Sequence, residues 1–121
     1  MLGKAPELAP YLRQLILNPC KGHAPKLRSI HTPDFAVSLR EFRALDGAII
    51  VSERGVVTSV GTYLDAPIKN LRLRPGLGAR HAAAAAITKA TDAIAFAISE
   101  SSGTVTLFAT GRTVLELERP R

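Results

Sequence analysis

Apolar residues recur along the chain with two different periods, and the change between them falls near Gly47. Before that point the spacing is helical. Leu8, Leu12, Leu15 and Ile16 share one face of a helix predicted over Glu7 to Leu17, because positions three and four apart lie together on a 3.6-residue turn. A polar connection punctuated by Pro19 and Pro25 follows from Asn18 to about Ile30 and reads as the least structured stretch. Thr32 then stands as N-cap, with Pro33 at the first helical position and Asp34 in the first turn of a helix reaching about Leu45. That helix is expected to bury Phe35, Val37, Leu39 and Phe42 in part.

Beyond Gly47 the pattern becomes extended. Ala48 to Val51 and Val56 to Val60 are β-branched runs separated by Ser52-Glu53-Arg54-Gly55, which predicts a hairpin with Gly55 at positive φ. Leu71 to Leu73 reads as a short strand and Pro75-Gly76-Leu77-Gly78 as a loop. His81 to Ala90 predicts a helix of high intrinsic propensity, whose small alanine face allows close packing on a sheet. Asp92 to Ser99 is apolar almost throughout, as expected of a central strand covered on both faces. Thr104 to Ala109 and Thr113 to Leu117 alternate better, which suits strands nearer a sheet edge. The predicted class is α/β, with a mixed, mainly antiparallel central sheet flanked by helices. Residues 1–31 read as an N-terminal helix and connection and residues 32–121 as the domain proper. Two readings of Lys4 to Ile30 stand, a genuine part of the fold or the remnant of a longer N-terminal region.

Composition narrows the class. A chain of 121 residues with 46% hydrophobic and 21% charged residues has the make-up of one globular domain. Cys20 is the single cysteine, so no internal disulfide forms; its Asn-Pro-Cys-Lys-Gly setting is turn chemistry and reads as an inert thiol. No targeting pattern is visible, and the apolar runs Ala82 to Ile87 and Ala93 to Ile98 are far short of a membrane span. The expectation is a cytoplasmic protein with no membrane partner.

The net charge of +6 invites a nucleic-acid reading, but its distribution points to something narrower. Between Asp65 and Asp92 there is no acidic residue, while Lys69, Arg72, Arg74, Arg80 and Lys89 all fall there. Positive potential so concentrated around one loop suits a polyphosphate as well as a duplex. Aromatic residues make up only 5% of the chain, which argues against a base-stacking platform.

Two segments carry candidate chemistry. Asp46-Gly47-Ala48 places a carboxylate beside a glycine at the mouth of an apolar strand. Gly78-Ala79-Arg80-His81 puts a cation and an imidazole at a helix start, where free N–H groups and the macrodipole favour phosphate. His23 and His31 lie in a loop outside both and read as surface residues.

With Leu45-Asp46-Gly47-Ala48-Ile49-Ile50-Val51, Gly61-Thr62-Tyr63-Leu64, Leu77-Gly78-Ala79-Arg80-His81, Thr91-Asp92-Ala93-Ile94 and Ile98-Ser99-Glu100-Ser101-Ser102-Gly103 in this order, the chain resembles the diadenylate cyclase domain. This is the catalytic unit of the DNA integrity scanning protein DisA and its bacterial and archaeal relatives. The wording of Gly78 to Thr91 is nearest the archaeal branch. The resemblance implies condensation of two ATP molecules into cyclic di-AMP with a divalent metal, Mn²⁺ or Mg²⁺, across a face-to-face homodimer or higher oligomer. It implies Asp46, Arg80 and His81 as catalytic residues, with Asp46 on the metal, Arg80 clamping phosphate and His81 on phosphate or metal. Gly47, Ala48, Tyr63, Leu64, Gly78 and Ser99 join Arg80 and His81 around ATP, with Tyr63 and Leu64 at adenine. Glu100 is then either a second metal carboxylate or an exposed strand-end residue, and Tyr63 either an adenine contact or core. Gly78 serves its turn first.

Two positions depart from the family pattern. Ala82 stands where the Arg-His-Arg motif has its second arginine, and Ser101 where many relatives carry a second acid. A degenerate, catalytically weak module that binds ATP or cyclic di-AMP is therefore the alternative. A small basic nucleic-acid-binding domain is the second, and it leaves Asp46-Gly47-Ala48 unexplained.

Overall fold

The first prolines and the first strand partner decide the N-terminal region. A computed structural model describes residues 3, 5–42, 44–69, 71, 73 and 77–118. Helix α1 covers only Ala5–Leu8, a 3-10 turn follows over Ala9–Tyr11, and strand β1 occupies Leu12–Gln14. The expected helix to Leu17 is thus corrected. Pro10 lacks an N–H and sits in the first turn of the 3-10 segment. The residues after it instead pair with the long strand described next.

The helix α2 (Pro33–Phe42) begins where expected and ends three residues early. Phe35, Leu39 and Phe42 follow i, i+4, i+7 spacing and pack on the core with Cys20, Val57 and Val60. Val37 lies on the opposite side and is exposed, so its expected burial is corrected. Phe35 and Phe42 meet edge to face with ring centroids 6.4 Å apart.

Strands β2 (Ala48–Val51) and β3 (Val57–Leu64) form the expected hairpin, and Gly55 has φ +79°. The order of this sheet is β1-β3-β2, all antiparallel. Asn18 to Ile30 is not loose. Arg28 donates from Nη1 to the Val57 carbonyl at 2.8 Å and from Nε to that of His23 at 2.9 Å. Asn18 Nδ2 reaches the Thr58 carbonyl at 2.9 Å, and the Ile30 N–H bonds that of Gly55 at 2.8 Å. These side-chain donors compensate for what a proline-rich segment cannot make as regular structure.

Helix α3 (Ala79–Ala90) packs on a second antiparallel sheet, β4 (Ile94–Ile98), β5 (Val105–Ala109) and β6 (Arg112–Leu117), in that order. Its alanine face does what the sequence implied, with Ala84, Ala85, Ala86 and Ile87 buried against Ala95, Ala97 and Phe108. The central strand is β5, not β4. Ala95 and Ala97 face the helix while Phe96 and Ile98 are 48% and 55% exposed, so β4 is half-covered and its expected burial on both faces is corrected. Leu71 and Leu73 carry no strand; Arg72, Arg74, Pro75 and Gly76, which the basic-loop reading invoked, lie outside the described residues. The class is α/β, with antiparallel sheets and a few helices, as expected. The chain divides into two compact units, Met1–Leu64 and Asp65–Arg121.

One buried hydroxyl ties the second unit together. Thr88 Oγ1 donates to the Ala85 carbonyl at 2.9 Å and accepts the Gly111 N–H at 3.1 Å, holding the β5–β6 turn on α3. Thr88→Val keeps the shape and removes the acceptor, leaving a buried N–H unsatisfied. The expected loss is about 1–3 kcal/mol in urea unfolding, with Thr88→Ser close to wild type; an unchanged midpoint in Thr88→Val would show that the turn is held by packing alone.

Candidate active site

The residues singled out in the sequence fall into two sets, one in each unit. In the first, Asp46 is exposed on the turn between α2 and β2. Gly47 follows with φ +95°, and a Cβ built there would stand 2.7 Å from the Thr62 nitrogen and 2.8 Å from the Gly61 carbonyl carbon. Only glycine lets the turn rest on the β3 peptide so closely. Ala48 is half-buried and pairs with Thr62, so the strand holds the carboxylate at its mouth. Tyr63 is half exposed and Leu64 half-buried, so the core reading of Tyr63 is set aside.

In the second unit, Gly78 precedes α3 at φ −86°, and a Cβ placed on it would meet nothing within 4 Å. The backbone therefore gives no reason for glycine there, and the expected turn requirement is corrected. The Gly78 carbonyl accepts the Ala82 N–H at 3.1 Å and opens the helix. Arg80 reaches across to the end of β4, donating from Nη1 to the Ile98 carbonyl at 2.9 Å and from Nη2 to Glu100 Oε1 at 2.8 Å. Both side chains are well exposed, so the pair adds about 1 kcal/mol or less to stability. A guanidinium has five N–H donors, so this anchoring leaves others for a ligand. His81 is only 7% exposed and stands edge to face with Phe108, ring centroids 6.2 Å apart. Ser99 is half-buried in the turn after β4, its Oγ 3.2 Å from that of Ser101. Ala82 is half-buried on α3.

Among the described residues no group of three or more His, Cys, Asp and Glu side chains comes together as a metal cluster, and no helix is long and apolar enough to cross a membrane. His23 and His31 are exposed, as expected. Burial pushes the Cys20 thiol up from its ordinary value, with the Arg28 charge working against it, which fits an inert thiol. Sequence reading missed Gln14 and Ser59, which both meet the hydroxyl of Thr62, a residue it quoted only as part of a motif, beside the β3 peptide under Gly47. Pro10 was the available signal, since a helix interrupted there leaves Leu12 to Leu17 free to pair as a strand.

An α/β fold presenting a carboxylate turn in one unit and a basic helix start in the other has counterparts among known proteins. The family model described as DAC, DisA bacterial checkpoint controller nucleotide-binding, matches residues 22–113. The chain belongs to this family. It is 41% identical over 107 residues to a Methanocaldococcus jannaschii protein named diadenylate cyclase, covering 88% of this chain and 33% of that one. A Haloferax volcanii protein of the same name is 37% identical over 119 residues, covering 98% of this chain and 43% of its own. The chain thus spans a third to somewhat under half of the length of these archaeal relatives. The crystal structure of a hypothetical membrane spanning protein from Bacillus cereus superposes with a TM-score of 0.66 at 23% identity, over 93% of this chain and 50% of that one. That likeness is one of fold.

Proposed function

We propose that this chain is a diadenylate cyclase module that joins two ATP molecules into cyclic di-AMP and releases two pyrophosphates. Each 3′-oxygen attacks the α-phosphorus of the other ATP and loses its proton, as the bond to pyrophosphate breaks in line. One copy holds half of each reacting pair, so a two-fold encounter of two copies completes both. The observation that carries the reading is Asp46, exposed on a turn clamped to the β3 backbone, within the family-matched segment. The names of the two archaeal relatives support it.

The roles divide by chemistry. Asp46 binds a divalent cation and helps to take the hydroxyl proton, and Glu100 offers a second carboxylate that it shares with Arg80. Both present hard oxygen atoms, which fit Mg²⁺ or Mn²⁺. Such a cation, when bound, withdraws charge from the phosphate and the attacking oxygen. Arg80 holds phosphate oxygens with the donors its anchoring leaves free. Gly47 and Ala48 offer backbone to ribose and phosphate, Tyr63 and Leu64 hold adenine, and Gly78 and Ser99 complete the ATP contacts. His81, packed on Phe108, sets the first turn of α3 as it contacts phosphate or metal.

Ala82 and Ser101 favour the weaker second reading, a module that binds ATP or cyclic di-AMP with little turnover. Removing one charge-assisted hydrogen bond of roughly 1.5–3 kcal/mol slows turnover about ten- to a hundredfold. The test is incubation at high protein concentration with ATP and Mn²⁺ or Mg²⁺, followed by mass detection of cyclic di-AMP. Metal-dependent product is expected. ATP binding without product would leave the weaker reading in its place, and salt-sensitive duplex binding without either would overturn both.

A further inference from the structure

The turn that carries Asp46 rests on a part of β3 that is itself irregular. Between the pairs Ala48↔Thr62 and Ile50↔Ser59 the register shifts, with three steps along β3 matched by two along β2. Such a bulge takes carbonyls out of the ladder and needs other donors to hold it. Here the donor comes from β1. Gln14 Nε2 donates to the Val60 carbonyl and lies 3.5 Å from that of Gly61, which also accepts the Leu15 N–H at 3.0 Å. Gln14 Oε1 accepts from Thr62 Oγ1 at 3.2 Å, and Ser59 Oγ lies 2.8 Å from the same hydroxyl. Thr62 is fully buried, and its peptide is the one against which Gly47 rests.

Gln14, Thr62 and Ala48 are opposite one another across the sheet, so the amide braces one side of the Gly61-Thr62 peptide and the Asp46-Gly47 turn leans on the other. We propose that Gln14, which precedes the family-matched segment, is a positioning residue that fixes the height and aim of Asp46 by pinning the β3 bulge. The proposal rests on the cyclase reading for its kinetic arm and on geometry alone for its structural one. Without the amide, the Val60 carbonyl loses this donor and that of Gly61 keeps only the Leu15 N–H, so the bulge relaxes locally and shifts the peptide beneath Gly47. A displacement near 1 Å is enough to cost a reaction that depends on in-line geometry about ten- to a hundredfold.

The test compares wild type with Gln14→Met, which keeps length and removes both amide groups, and Gln14→Lys, which keeps a donor for the two carbonyls. In Gln14→Met, kcat for cyclic di-AMP is expected to fall about tenfold or more, with KM for ATP close to wild type and the thermal midpoint lowered by no more than a few degrees, since the groups it serves are part-buried. Gln14→Lys should recover most of kcat. Amide hydrogen exchange, followed in the absence of ATP, should quicken in Gln14→Met around residues 44–50 and 60–63 and nowhere else. Equal kcat in Gln14→Met, or loss spread in proportion over kcat, midpoint and exchange, would overturn the positioning role. Should wild type itself form no product, the cyclase reading fails, and the exchange pattern alone decides the inference: faster exchange confined to those two segments upholds it, and unchanged exchange ends it.

Discussion

Gly47→Ala is expected to destabilise the first unit by about 2–4 kcal/mol and to abolish product formation with it. Two costs add. The residue sits at φ +95°, where an L side chain is strained, and the new methyl would meet Thr62 N, Gly61 C and Thr62 O at 2.7, 2.8 and 2.9 Å. All three are backbone atoms of β3, so no rotamer change relieves the contact. Either the Asp46 turn lifts away or β3 moves. Urea unfolding measures the sum of the two costs, with Gly78→Ala as its control, because Gly78 lies at ordinary φ in open space. Equal midpoints for the two variants would show that the turn yields easily, and the close seat on β3 would lose its meaning.

The second large effect is one of chemistry without stability. Asp46→Asn keeps the shape of an exposed side chain and removes its charge, so the thermal midpoint should stay within a degree or two of wild type. Cyclic di-AMP formation should fall by about a thousandfold, the size expected when a group that stabilises the reacting charge is lost. Initial rates at saturating Mn²⁺, read by mass detection, decide it. A loss of less than tenfold would remove Asp46 from the centre of the reaction. A fall in rate accompanied by an equal fall in stability would make it a turn residue instead.

The sequence made the local elements legible wherever periodicity and composition agreed. The alanine run of α3, the Pro33 start of α2 and the hairpin closed by Gly55 all stand where the pattern put them, although the Thr32 hydroxyl, expected as the N-cap of α2, donates to the Lys26 carbonyl. It misled where one signal masked another. Leu8, Leu12, Leu15 and Ile16 have helical spacing, yet Pro10 and a waiting edge of β3 turn half of that segment into strand. The apolar run of β4 looked central because Phe96 and Ile98 are as hydrophobic as the alanines between them; pairing order, which no local pattern encodes, made β5 central instead. Asp46 was legible as a candidate from its neighbours in the chain. What holds it was not, because the contacts among Gln14, Ser59 and Thr62 depend on a bulge that exists only once β3 is paired on both sides.

That two-sided pairing matters for anyone who would cut this chain down. The order β1-β3-β2 makes Leu12–Gln14 the outer cover of β3. Trimming to residue 22, where the family match begins, would strip that cover and leave the long strand with an open row of hydrogen-bonding groups. Bare edges of this kind recruit strands from other molecules. A minimal fragment would therefore trade its own third strand for a neighbour's, and clumping in the test tube would be the outward sign of one missing strand.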